Sequence, residues 1–298
     1  MDFKRTLVDL MPAPFVRFTA SPYIAGKGLD VGVAKADQLQ KELGLHATVD
    51  LLGEEVFNRE DVEATVAIYF RMIEALKDRP YASISLKPTQ LGMNESEDYA
   101  HANLRRVVAA AAPHGLHITV DMEDHGFTDA TLRIFRKLRD EFDNVGIVLQ
   151  SRLFRTTEDI QNLHAKPCKV RICIGIYKEP AAIALTEKPA MKDKLFEHVG
   201  LLLDHGHYPE IATHDEPLVR RCLAYLEKRG VPAGKFEFQM LLGVPRTALQ
   251  QELVKRGHVV RLYVPFAEEW KYAIHYLKRR LAANPMMAMY VLKNLFSR

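Results

Sequence analysis

Only three cysteines occur in 298 residues, Cys168, Cys173 and Cys222, and they form neither a paired framework nor a CxxC spacing. That excludes a disulfide-stapled scaffold and points to an intracellular, reducing location. No apolar run approaches the ~20 residues that span a bilayer, and Met1 is followed by charge rather than by the apolar core of a signal peptide. Net charge is slight, +3 with histidine neutral, and the Lys and Arg residues are dispersed, which argues against nucleic acid as a partner. Several chemistry-bearing motifs are missing too. There is no GxSxG elbow, no P-loop and no HxxxH or HxH pair, so hydrolase readings weaken and no metal is expected. Glycines 26, 28 and 32 resemble a dinucleotide fingerprint only loosely, because they do not lie between a strand and a helix.

What is present suits one large globular domain: 48% hydrophobic and 27% charged residues. Strand-like runs rich in Val, Ile, Leu, Phe or Thr begin near residues 47, 82, 117, 144, 169, 208, 235 and 259. Helical stripes lie between them, such as Val62, Val66, Tyr69, Ile73 and Leu76, or Leu132, Phe135, Leu138 and Phe142. A further stripe, Trp270, Ile274, Leu277 and Leu281, follows the last strand. Strand and helix alternating eight times over roughly 250 residues predicts an α/β fold of the closed (β/α)8 TIM type, with an open doubly wound sheet as runner-up. Gly115, Gly206 and Gly257 precede strands where helices should stop. Residues 1–45, with Pro12, Pro14, Pro22, Gly26, Gly28 and Gly32, read as an irregular arm with one helix around 33–43 covering the bottom or side of a barrel formed by residues 46–298.

Chemistry in such barrels sits at the C-terminal strand ends. That rule selects Asp50 and Glu54; Lys87, Thr89 and Gln90; Asp121, Glu123 and Asp124; Gln150; Arg171 and Tyr177; Thr213, His214 and Asp215; Glu237 and Gln239; Arg261 and Tyr263. Lys87 next to Asp121 suits an ion pair, substrate contact, or both. Asp124 suits a helix cap, whereas Asp121 suits the site. Gln150 and Gln239 can satisfy both donor and acceptor positions of a heteroaromatic edge, or can be buried amides bonded to backbone. His214 suits a donor to a phosphate or ring oxygen, with a structural histidine as the alternative. Beyond the last strand, Arg279 and Arg280 can clamp a small carboxylate with paired hydrogen bonds, as a single Lys cannot.

Eight segments in order carry a family resemblance: VDLLGE at 49–54, SLKPTQLG at 85–92, DMED at 121–124, GIVLQ at 146–150, ATHD at 212–215, EFQ at 237–239, YVP at 263–265 and YLKRRL at 276–281. From about residue 35 onward the chain resembles the proline dehydrogenases, flavin-dependent (β/α)8 enzymes, in their short bacterial monofunctional form. The resemblance implies oxidation of L-proline to 1-pyrroline-5-carboxylate by hydride transfer to FAD, with a membrane quinone as electron acceptor. It implies that Arg279 and Arg280 bind the substrate carboxylate, that Lys87 and Asp121 line the pocket, and that Tyr177, Leu241 and Tyr263 pack on the substrate ring. Around FAD it implies Val148, Gln150, Arg171, Gly175, Thr213, His214 and Gln239.

Three positions depart from the family pattern: Ile174 stands for a Lys, Ile176 for an Ala and Ala283 for a Glu. Ile176 adds bulk beside the expected pocket, where overpacking typically costs ~1 to 3 kcal/mol, so a close cyclic amino acid is an alternative substrate. A non-catalytic barrel that keeps carboxylate binding is a competing reading, and a Schiff-base lyase using Lys87 is a third. The methionine-rich segment 285–296 packs on the barrel or, as the sharper alternative, gives a cytoplasmic protein peripheral contact with the inner membrane.

Overall fold

A computed structural model of the chain describes residues 10–53 and 58–283, with the side chains of residues 275, 279, 282 and 283 left aside. Glu54, the side chains of Arg279 and Ala283, and the segment 285–296 therefore lie outside the described residues. Eight parallel strands close in sequence order: β1 His46–Leu51, β2 Ala82–Leu86, β3 Ile118–Val120, β4 Val145–Gln150, β5 Lys169–Cys173, β6 Tyr208–Ala212, β7 Glu237–Leu241 and β8 Val259–Phe266. The seam pairs β8 with β1, His46 opposite Arg261 through Leu51 opposite Phe266. The strand starts agree with the sequence expectation to within two residues. Gly115, Gly206 and Gly257 stand where helices or turns stop, each with left-handed φ.

Among the described residues two α-helices precede the barrel, α1 Ala13–Ala20 and α2 Leu29–Leu43, and eight are interleaved with or follow its strands. These are α3 Arg59–Leu76, α4 Glu97–Ala111, α5 Thr128–Glu141, α6 Thr156–Gln161, α7 Lys188–Asp204, α8 Glu216–Lys228, α9 Thr247–Lys255 and α10 Trp270–Ala283. Local chemistry starts several of them. Asn58 caps α3 by accepting from the Asp61 amide, Ser96 caps α4 through Tyr99, and Asp215 caps α8 through Leu218. Their inner stripes, such as Val62, Val66, Tyr69 and Ile73, are buried against the barrel wall in one continuous apolar core.

One substitution of roles places the site. Helix α2, not α10, fills the outer groove between β8 and β1, packed so closely that a Cβ on Gly32 would lie 3.2 Å from the Phe266 ring. Displaced from that groove, α10 buries its stripe against α1. Ala273, Tyr276, Leu277 and Leu281 meet Val16, Ala20, Tyr23 and Ile24, together with Leu52 and Ala267, which follow β1 and β8. Arg17 stacks 4.1 Å from the Trp270 ring across the same contact. Among the described residues the arm thus has two α-helices where the sequence predicted one. Only α2 lies on the side as expected; α1 sits at the C-terminal rim, because its apolar face is needed to cover a helix that has left the wall.

Candidate active site at the barrel mouth

Alternate residues of each strand face the barrel axis, and here that axis is polar. On β2 they are Ser83 and Ser85, in an otherwise apolar strand. At the mouth the Lys87 ammonium donates to Asp50 Oδ1 at 2.9 Å, and lies 3.5 Å from Asp121 Oδ2 and 3.4 Å from the Tyr263 hydroxyl. Tyr263 donates to Asp121 Oδ2 at 3.0 Å, and Ser85 to Asp121 Oδ1. Burial alone would depress the Lys87 ammonium, yet Asp50, Tyr263 and Asp121 outweigh it and hold Lys87 well above its ordinary range. That preference for the ammonium form disfavours Lys87 as a Schiff-base nucleophile, and with it the lyase reading.

Below this cluster Arg171, on β5, reaches across the barrel. It donates to Asp121 Oδ1 at 2.9 Å, to Ser85 at 3.1 Å and to Gln239 Oε1 at 2.6 Å. Gln239 in turn donates to Glu237 at 2.7 Å, and Glu237 holds Arg261 at 2.6 Å. The result is an unbroken column from Asp50 at the mouth to Arg261 at the floor. Glu237 and Arg261, which the sequence grouped with the mouth, belong to the opposite end. Arg261 bonds the Ala47 and Tyr81 carbonyls and Ser83, at the N-terminal starts of β1 and β2.

Several buried polar atoms at the mouth have no partner among the described residues: Asp50 Oδ2, Gln150 Oε1, Arg171 Nη2, His214 Nδ1, Tyr276 Oη and Arg280 Nε. Buried polar groups are nearly always bonded, so such a convergence marks a place for a ligand rich in donors and acceptors. The second amide atom of Gln150 is occupied, donating to the Glu123 carbonyl at 2.8 Å. Gly175, after β5, has φ +98°, and a Cβ there would stand 2.4 Å from Gln150 Oε1; only glycine leaves that oxygen clear. His214, after β6, is held down at about 4 by burial first and then by Arg280 and Arg246, so it is neutral and presents an imidazole nitrogen. Val148 is buried on β4, and Thr213 accepts from the Asp215 amide at 3.2 Å. This donor and acceptor set fits the edge of a flavin ring.

Helix α10 brings Arg280 into the same space: its guanidinium lies 4.8 Å from the Tyr276 ring, and its charge acts on His214 and Cys173 at the ends of β6 and β5. Tyr177 and Leu241 are half-buried at the rim, the Tyr177 carbonyl accepting from Arg152. Ile174 packs half-buried against the core, whereas Ile176 is 55% exposed. Asp124 is not the cap of α5; its carboxylate accepts from the Gly126 amide at 2.9 Å and so closes a turn, while α5 starts later, after Phe127. Asp50 carried no assigned role in the sequence, though its partner Lys87 was selected there, just after β2. Among the described residues no group of three His, Cys, Asp or Glu could hold a metal ion, and no helix is long and apolar enough to cross a membrane.

The model of the proline dehydrogenase family matches residues 33–176 and 181–291. The chain belongs to that family. Proline dehydrogenase 1 of Bacillus subtilis is 32% identical over 295 residues, covering 99% of this chain and 96% of that protein. The proline dehydrogenase of Deinococcus radiodurans is 34% identical over 282 residues, 93% of this chain and 89% of its own length. Among solved structures, proline utilization A of Bdellovibrio bacteriovorus inactivated by N-propargylglycine superposes with a TM-score of 0.80 at 24% identity, over 88% of this chain. This proline dehydrogenase relative spans about a third, 32%, of that longer chain, and the likeness speaks to the fold.

Proposed function

We propose that the protein oxidises L-proline to 1-pyrroline-5-carboxylate in proline catabolism, with FAD as cofactor and a quinone as final electron acceptor. The observation that carries this reading is the convergence of buried polar atoms, unpartnered among the described residues, with Arg280 of α10 at one barrel mouth. Gln150, Arg171, Gly175, Thr213, His214, Gln239 and Val148 would hold FAD. When bound, FAD supplies the two-electron acceptor for the hydride of the proline ring carbon beside nitrogen. Arg279 and Arg280 would take the carboxylate as a bidentate pair, orienting the ring. Tyr177, Leu241 and Tyr263 would pack on its apolar carbons, and Lys87 and Asp121 would line the polar side.

The amine has to be neutral when hydride leaves, and a mouth carrying Lys87, Arg171 and Arg280 disfavours a further cation in the ring. Helix α10, held over the opening by α1, would exclude water from the reacting carbon. No observation favours a non-catalytic barrel, since the Lys87, Asp121 and Tyr263 cluster is complete. Docking of the residues after 284 on a membrane that holds the quinone fits the same reading, and vesicle co-sedimentation with and without them tests it. The activity is tested by incubating purified, FAD-supplemented protein with L-proline and a soluble quinone. Proline loss and quinone reduction in equal amounts are expected; protein that takes up no FAD, or reduces no quinone with proline, overturns the proposal.

A further inference from the structure

Two carboxylates face the Lys87 ammonium, and they are not equivalent. Asp121 accepts from Ser85, Arg171 and Tyr263. Asp50 is 0% exposed and is bonded by Lys87 through Oδ1, while its Oδ2 is buried without a partner. Protonating Asp121 would forfeit several donor bonds, one of them from the Arg171 guanidinium, and its 3.5 Å ion pair with Lys87. Protonating Asp50 disturbs the 2.9 Å bond from Lys87 and a weaker interaction with the Tyr263 hydroxyl, and it relieves the repulsion between two carboxylates that share a low-dielectric site.

We propose that Asp50 is the proton store of the site, acting through Lys87: as Lys87 takes the proton of the substrate's ring ammonium, it passes one of its own along the 2.9 Å bond to Asp50 Oδ1. One substrate N–H bond breaks as one forms on Lys87, and one Lys87 N–H bond breaks as an O–H bond forms on Asp50. The ammonium becomes a neutral amine and the carboxylate a carboxylic acid, while Lys87 is cationic before and after. No oxidant enters this step, which prepares the amine for the oxidation proposed above and rests on that reading. Lys87 is 12% exposed on its side chain and stands between Asp50 and the opening, so it is the part of the relay that a substrate can reach.

The groups facing Asp50 from each packed element are Lys87 beyond β2, Asp121 beyond β3, Tyr263 on β8, Tyr69 on α3 and Tyr276 on α10. Burial pushes the Asp50 carboxyl up, Lys87 draws it back and Asp121 pushes it up again, leaving it at about 6. A group poised there is empty of its proton at neutral pH and able to accept one.

Asp50→Asn keeps the shape and a carbonyl acceptor for Lys87 but cannot store a proton. With FAD content equal to wild type, kcat at pH 8 is expected to fall about 100-fold or more, with KM for proline changed less than about threefold. The acidic limb of the wild-type kcat profile, expected near the about 6 of Asp50, should vanish in the variant. A second readout needs no variant. Infrared difference spectra of wild-type protein at neutral pH should gain a protonated-carboxyl band on binding 5,5-dimethyl-L-proline, which keeps the amine but has no hydride to lose, and not on binding cyclopentanecarboxylate. An unchanged acidic limb in Asp50→Asn, or no such band in wild type, overturns the relay while wild-type proline oxidation stands. Wild-type protein that does not oxidise proline overturns both readings.

Discussion

Arg171 and Arg261 are both buried inside the barrel, 6% and 5% exposed, and differ in what surrounds them. At the floor, Arg261 directs every nitrogen of its guanidinium to a partner: Glu237, Ser83, His46 and the carbonyls of Ala47 and Tyr81. Nearer the mouth, Arg171 has Nη2 without one among the described residues, in company with likewise unpartnered atoms of Asp50, Gln150 and His214. A satisfied buried charge holds a scaffold together; an unsatisfied one persists because a ligand completes it. The clefts that open at the floor, both lined by His117, Asp143 and Lys169, belong to the end of a barrel that serves stability.

The largest expected effect is acid sensitivity. His46, His198, His207 and His214 are each held down at about 4, by burial first. The folded chain binds fewer protons there than the unfolded chain, so stability should be complete above pH 6.5 and fall steeply as pH drops from 6.5 to 4. Glu237 is pushed up by burial but drawn further down by Arg261, to about 2, so its contribution is present above pH 4.5 and is lost as pH falls toward 2. Asp50 has the opposite sign, its folded form gaining relative stability as pH falls through about 6. Urea unfolding at a series of pH values checks this; stability flat between pH 6.5 and 4 would contradict it.

Next comes the floor itself. Glu237→Gln leaves Arg261 buried without its counter-charge and should cost ~3 to 5 kcal/mol of unfolding free energy, while activity per folded molecule is unchanged. A loss of activity with stability intact would erase the distinction between floor and mouth. The mouth should show the converse. Arg279→Lys or Arg280→Lys gives up a bidentate bond worth ~1.5 to 3 kcal/mol, so KM for proline should rise about 10- to 100-fold, with bound FAD and urea midpoint unchanged. An unchanged KM removes that arginine from the carboxylate site. Smallest are the rim aspartates: Asp215→Ala loses the cap of α8 and should cost ~1 kcal/mol, whereas Asp124→Ala, which closes only a turn, should stay within ~0.5 kcal/mol.

The barrel was legible because apolar runs and helical stripes alternate with a fixed rhythm, and parallel strands joined by helices leave few closures. The exchange of α2 for α10 was not legible. The stripe of Trp270, Ile274, Leu277 and Leu281 has the same period whether it faces a strand or α1, and amphipathicity does not name its partner. Depth inside the barrel was equally hidden. Gln239 and Glu237 share one strand two residues apart, yet one reaches toward Arg171 and the other toward the floor. Asp50 went without a role since a lone charge ending an apolar strand has no visible partner; Lys87, 37 residues away, becomes one only through the register of β1 on β2. Arg280 stood out because two guanidiniums adjacent on one helix are chemically distinctive, and the structure brings its charge to His214 and Cys173.

Anaerobic titration of the purified protein with L-proline, followed by flavin absorbance, tests most directly whether the unsatisfied mouth is a redox site. The protein should be yellow with one flavin per chain, bleach on addition of L-proline and regain its colour with a quinone. A colourless protein that takes up no FAD, or a yellow one that proline leaves oxidised, would contradict the account.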